Sequence, residues 1–283
     1  MKSLQVFNLH YSNHTHRPSL KAGVYYFILF LLLASCSTFR IPVKGSKGGS
    51  IVKNVYSEMS EKDYKDHLAS LKAPFLATPG IKTLPQGHAT KKYLDVLVGE
   101  IIANNEIFFK ELKTANVTIL DSESPLHFSL PKGELFLSRG LISKYIKHES
   151  MLVSILSFEL VRSERLIYPK LTIIPVGYIP LERMLALNRL ELEEKMEVHK
   201  WAHYLTVRSG YDGEYYLSWL QTQNRNTADF ILQVGDANLI NREEALFKAF
   251  LIKNSLDDDD VLAKKTSSKQ FYTFINSIRD GVL

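Results

Sequence analysis

The stretch from Glu149 to Glu164, ESMLVSILSFELVRSE, constrains the fold most. Met151, Leu152, Ile155, Leu156, Leu160 and Val161 recur at helical spacing, which predicts an amphipathic or wholly buried helix. It follows LHFSLPKGELFLSRGLISKYIKH, residues 126 to 148. That order reads as a strand over 127 to 130, a tight turn at Lys132-Gly133 and a strand over 134 to 138. Two helices come next, the second being the 149 to 164 run. A further strand is expected over 117 to 120.

The helix carries a charged pair on an otherwise apolar run. Glu159 and Arg162 stand three apart, so their side chains can meet. The chain as a whole has a formal charge of +5. Lys2, Arg17 and Lys21 supply three of those charges and no acid precedes Cys36, which leaves +2 from Cys36 onward. That balance gives no argument for nucleic acid as a partner. One cysteine excludes an internal disulfide. It lies at the end of the apolar amino-terminal segment, and no Gly-x-Ser-x-Gly elbow occurs, so nucleophilic catalysis has no support.

Two places along the chain resemble the M48 family of metallopeptidases. In that family a Pro-Gly-Gly turn precedes a strand, an Arg-Gly-Leu-Leu helix start and then a helix with His-Glu-x-x-His. Here Leu130, Pro131 and Gly133, then Ser138, Arg139, Gly140 and Leu141, match the frame. Phe158-Glu159-Leu160-Val161-Arg162 stands in the motif's place. The second place is Gly210-Tyr211-Asp212. Counting back from it puts Lys195 where the family has its third zinc ligand, a Glu, and His199 where it has an Asp. Glu194 and Glu197 are close, so a slip of register could restore a carboxylate.

The resemblance implies an α+β fold, a mostly helical zincin-like (gluzincin-like) domain with a small sheet whose edge strand receives substrate. It implies the scaffold of a zinc peptidase with altered chemistry. Phe158 has no lone pair to offer, and Arg162 stays protonated and repels a divalent cation. Glu159 keeps the position of the general base, without two imidazoles to hold the metal that acidifies its water. The expectation is therefore a pseudopeptidase with no metal, binding polypeptide or an envelope protein in assembly or quality control. The alternatives are an active zinc metalloendopeptidase with altered ligands, and a structural envelope lipoprotein with no groove in use. Where the zinc would sit, an ion-pair network of Glu159, Arg162 and Lys195, with Glu194 or Glu197 nearby, is one reading. The other has Arg162 and Lys195 facing solvent. His199 and His203, one helical turn apart, form a rival metal pair, although two histidines on a polar helix face are more often surface residues. His127 reads as a strand residue rather than a ligand.

The amino-terminal segment suggests where such a chain resides. Residues 24 to 34, VYYFILFLLLA, are apolar without interruption, short for a span but suited to a secretory h-region. Leu33-Ala34-Ser35-Cys36 closes the segment and resembles a bacterial lipobox. Residues 1 to 35 are then a lipoprotein signal peptide, with Cys36 lipidated. The competing reading is an uncleaved anchor with an incidental cysteine. Ser37 after the cysteine favours the outer membrane, facing the periplasm, by analogy with Gram-negative sorting. Residues 36 to 55 form a flexible tether containing KGSKGGS. Residues 56 to 253 make the domain, and residues 254 to 283 an acidic linker, Asp257 to Asp260, with a final helix.

Further helices follow from capping and periodicity. Ser60 can cap one over EKDYKDHLASLKA, and Thr90 one reaching about Leu112. A helix is predicted over 181 to 208 and another over GEYYLSWLQ. A third, over 242 to 253, should turn Leu246, Phe247, Phe250 and Leu251 inward. A last helix should bury Phe271, Phe274, Ile275 and Ile278.

Overall fold

A computed structural model describes residues 60–165, 177–254 and 265–281. The signal segment, Cys36, the tether, Pro169, Pro175 and the acidic run at 257–260 lie outside the described residues. The fold is α+β. Helices α1 (Glu61–Ser70), α2 (Lys72–Leu76) and α3 (His88–Ala103) lead into strands β1 (Asn116–Leu120), β2 (His127–Leu130) and β3 (Glu134–Ser138). Helices α4 (Arg139–Lys144), α5 (Glu149–Glu164), α6 (Leu181–Leu187) and α7 (Leu192–Arg208) follow. Helices α8 (Glu214–Arg225), α9 (Thr227–Val234), α10 (Ala237–Asn254) and α11 (Lys269–Asp280) complete the order. No helix of the described residues is long and apolar enough to cross a membrane.

The sheet has the order β1-β3-β2, with β1 parallel and β2 antiparallel to β3. Strand alternation sends its side chains to two cores. Val117, Ile119, Leu135 and Leu137 face the large core around α5, while Leu120, Phe128, Leu130 and Phe136 face a smaller one under α1 and α2. In that smaller core Phe128 stacks on Phe136 at 4.6 Å, and Phe75 meets both rings edge-on. The same alternation sends His127 and Ser129 of β2 toward α5.

The β2–β3 turn is fixed from both sides. Lys132 and Gly133 both take left-handed φ, 66° and 75°. A Cβ on Gly133 would lie 2.8 Å from the Thr114 carbonyl oxygen, so only glycine fits there. Ser163 at the end of α5 locks the turn: its Oγ accepts from Gly133 N at 2.6 Å and donates to the Leu130 carbonyl at 2.8 Å.

Helix α5 resolves the first ambiguity of the sequence. It is wholly buried rather than amphipathic, with every residue from Glu149 to Ser163 enclosed. Ser150, Ser154 and Ser157 lie on it, and such small side chains let neighbours approach closely at interior density. Its first residue fastens the last helix. Glu149 accepts from the Tyr93 hydroxyl at 2.7 Å, the Ser268 hydroxyl at 2.9 Å and the Ser268 N–H at 2.7 Å. Helix α11 docks there, burying Phe271, Phe274, Ile275 and Ile278 as expected.

Three helix expectations change. The helix expected to run from Thr90 to Leu112 is α3, entered at Gly87 and ended at Asn104. Asn105 ends it by hydrogen-bonding Ile101 O at 2.8 Å while also reaching Leu205 O and Ser209 Oγ on α7. The helix expected over 181 to 208 is broken between Asn188 and Glu191 into α6 and α7. Helix α10 starts earlier, at Ala237, and is rotated from the expected face: Phe247 is buried, but Leu246 is exposed and Glu243 and Glu244 are enclosed.

Gly140 opens α4 where no side chain fits. Its ideal Cβ would lie 2.0 Å from the Glu123 carbonyl oxygen, a backbone atom, and its N–H donates to Ser122 O at 2.8 Å. Gly140→Ala is expected to lower stability by about 3 kcal/mol, at the upper end of overpacking costs, because the whole 122–126 turn must move. A urea midpoint within error of the wild type would contradict this placement of the turn.

Candidate functional site

The residues singled out on α5 and α7 converge. These two helices pack along each other, and β2 runs beside α5. Between them lies a small cavity of about 40 Å³, lined by His127, Phe158, Arg162, Asn188, Lys195 and His199, with Trp219, Gln223, Gln233 and Glu243 behind. That is room for one or two water molecules.

Glu159 is fully enclosed, at 0 % exposure. Its Oε1 pairs with His127 Nδ1 at 2.6 Å. The Arg162 Nη1 lies 3.3 to 3.4 Å from the two carboxylate oxygens. Arg162 is fixed on its other side by the break between α6 and α7. Its Nη2 donates to the Asn188 carbonyl at 2.5 Å and to Asn188 Oδ1 at 3.0 Å, and Asn188 Nδ2 donates back to Met184 O at 2.8 Å. Burial by itself would raise the Glu159 pKa. The Arg162 charge and the His127 and Ser129 hydrogen bonds outweigh it and hold the carboxyl below its ordinary value. A buried carboxylate with an arginine and an imidazole already on it is not a base poised to take a proton from a substrate.

A second ionic cluster lies on the other side of Phe158. Lys195 pairs with Glu243 of α10 at 2.6 Å. His199 Nε2 is 3.6 Å from the same carboxylate, and its Nδ1 is 2.9 Å from the Tyr216 hydroxyl. Burial again opposes charge on Glu243, but Lys195 and His199 bring its pKa down to about 2. Burial likewise pushes the His199 pKa below its ordinary value, against the pull of Glu243. The Phe158 ring separates the two clusters, 5.9 Å from His127, 4.8 Å from His199 and 5.7 Å from the Arg162 guanidinium carbon.

Several expectations are corrected by this geometry. Arg162 is buried and Lys195 is half-buried, and each is held in an ion pair rather than extended into solvent. Lys195 does not join Glu159, and neither Glu194 nor Glu197 approaches it as its partner: Glu194 is exposed, and Glu197 pairs with Lys200 at the surface. The ions therefore form two clusters rather than one network. His199 and His203 are not a surface pair. His199 is buried, and the His203 ring packs edge-on against Tyr216, Phe247 and Phe250. Among the described residues no group of three or more His, Cys, Asp or Glu side chains is arranged to hold a metal ion.

Glu243, Asn188, Tyr216 and Gln233 were not legible as site residues. His127 was read as a strand residue, which it is, but its ring is also the partner of Glu159. A polar residue on the inward face of a strand was the available signal.

Removing either half of the inner pair should leave a buried uncompensated charge. Glu159→Ala and Arg162→Ala are each expected to cost about 3–5 kcal/mol, and the double variant clearly less than their sum. A thermodynamic cycle from urea unfolding reads the coupling directly, and additive losses would refute the pairing. Acid titration tests the outer cluster. The Glu243 carboxyl is depressed, so its stabilisation is complete above the ordinary value of 4.5 and is lost as pH falls toward about 2. His199 is depressed from 6.5, so the unfolded chain takes up its proton first and stability begins to decline below that pH. Stability should thus fall in two stages on acidification, and Glu243→Gln should flatten the lower one. No family model matches this sequence, and no curated protein matches it.

Proposed function

We propose that the chain is a lipid-anchored, catalytically silent relative of the M48 peptidases that holds polypeptide or an envelope protein instead of cutting it. The observation that carries this reading is the closure of Glu159 between His127 and Arg162. The sequence resemblance adds support, and the chain has a left-handed turn at Lys132-Gly133, a glycine that opens α4 and α5 packed on α7, which are features that this reading calls for.

The donor set does not fit zinc. At the three ligand positions Phe158 has no donor atom, Arg162 is a buried cation on Glu159, and Lys195 is engaged by Glu243. The rival pair fits no better, because both nitrogens of His199 already face Tyr216 and Glu243. A hydrolytic role would need the guanidinium and the ring displaced together.

The lipid anchor rests on the sequence around Cys36. Several acyl chains at about 0.8 kcal/mol per buried CH₂ would hold the chain to a membrane, and the tether would set the domain near it.

The purified full chain, dialysed against zinc and then against buffer, is expected to retain far less than one zinc per molecule and to leave casein intact. Stoichiometric zinc that disappears in a His199→Ala, His203→Ala variant would overturn the reading in favour of an altered-ligand peptidase. The triple variant F158H/R162H/K195E is expected to gain zinc if these positions occupy the proposed ligand places. Radiolabelled palmitate should enter the wild-type chain in a bacterial host and be lost on Cys36→Ala.

A further inference from the structure

We infer that Gln233 is an internal stand-in for a bound polypeptide, and that helix α9 is a strap covering a strand-addition site on β2. This rests on the polypeptide-holding role proposed above. Strand β2 is an edge strand: among the described residues only β3 pairs with it along the ladder. At His127 its free backbone groups are nevertheless both satisfied. The His127 N–H donates to Gln233 Oε1 at 3.1 Å, and Gln233 Nε2 donates to the His127 carbonyl at 2.6 Å. One primary amide thus exchanges two hydrogen bonds with one strand residue. A peptide group pair of an antiparallel partner makes the same two bonds.

The strap is short and has an exposed outer face. Helix α9 has eight residues, too few to persist by itself, and Ala228, Asp229 and Ile231 are exposed. It is held by the buried Phe230 ring against Tyr145 and Trp219, at 4.9 and 5.4 Å, by the buried Val234, by packing on α10, and by hydrogen bonds from the Tyr145 hydroxyl to Asp229 and from Arg189 to the Leu232 carbonyl. It ends at Gly235 in a left-handed turn, where Arg189 lies so close that a Cβ would stand 2.6 Å from its guanidinium carbon. Local opening of a short surface helix does not require global unfolding.

Opening α9 would free the His127 backbone and, beside it, the place filled by Phe230 against Trp219. The occupant that fits is an extended, uncharged segment. Its backbone would replace the Gln233 amide, and an apolar side chain would replace Phe230.

The test uses the full chain and a fluorescein-labelled peptide, Lys-Thr-Val-Thr-Phe-Thr-Val-Lys, with a backbone N-methylated copy as control. Gln233→Ala and, separately, Tyr145→Phe are expected to bind the peptide at least fivefold more tightly than the wild type. The N-methylated copy should lose that gain. The His127 amide should exchange with deuterium faster in Gln233→Ala. If the wild type binds measurably and neither variant binds more tightly, the strap is refuted while the polypeptide reading survives. If no form binds, the polypeptide reading fails and this inference with it. Faster exchange at His127 without tighter binding would mark a structural contact only and would also refute the strap.

Discussion

A carboxylate with no exposed surface must be neutralised where it stands, and Glu159 organises its surroundings for that reason. Transfer of such a charge out of water costs several kcal/mol, which only close partners can offset. His127 supplies one from the sheet and Arg162 another from the next turn of the same helix. The arginine then has its own donors to satisfy, and the chain meets that need by ending α6 early. The carbonyl left free at the helix end and the side chain of Asn188, both buried, are the acceptors. One buried charge therefore ties together strand β2, helix α5 and the break between α6 and α7.

Phe158 has a different role from its neighbours. By standing between His127 and His199 it keeps two ionic clusters apart in a medium of low polarity, where cross-talk between them would be strong. Each cluster contains one carboxylate, one imidazole and one permanent cation. That symmetry lets both carboxylates ionise despite burial. It also explains why the interior tolerates so many titratable groups around so small a cavity.

The elements with strong local signals were legible in the sequence. Ser60 caps a helix, the Lys132-Gly133 turn joins two strands, and the apolar face of the last helix is buried. Helix breaks were harder. Nothing local distinguishes Asn188 from an interior helix residue; its reason for stopping a helix is an arginine 26 positions earlier. The face of α10 was misjudged for a related cause. Periodicity favours burying Leu246, but Lys195 and His199 draw Glu243 inward, and the helix turns to deliver it. The Glu159–Arg162 pair could be read from spacing, because it is local. The His127–Glu159 and Lys195–Glu243 pairs, 32 and 48 positions apart, could not.

The anchoring of Arg162 by Asn188 has a consequence for substitution. A guanidinium tied at once to a buried acid and to a loop carbonyl cannot be exchanged alone, since any substitute strands one of them. Nor can the acid change first. Each single replacement among these three residues therefore passes through a molecule that folds poorly. The arrangement works as an interlock, which isolated substitutions do not open.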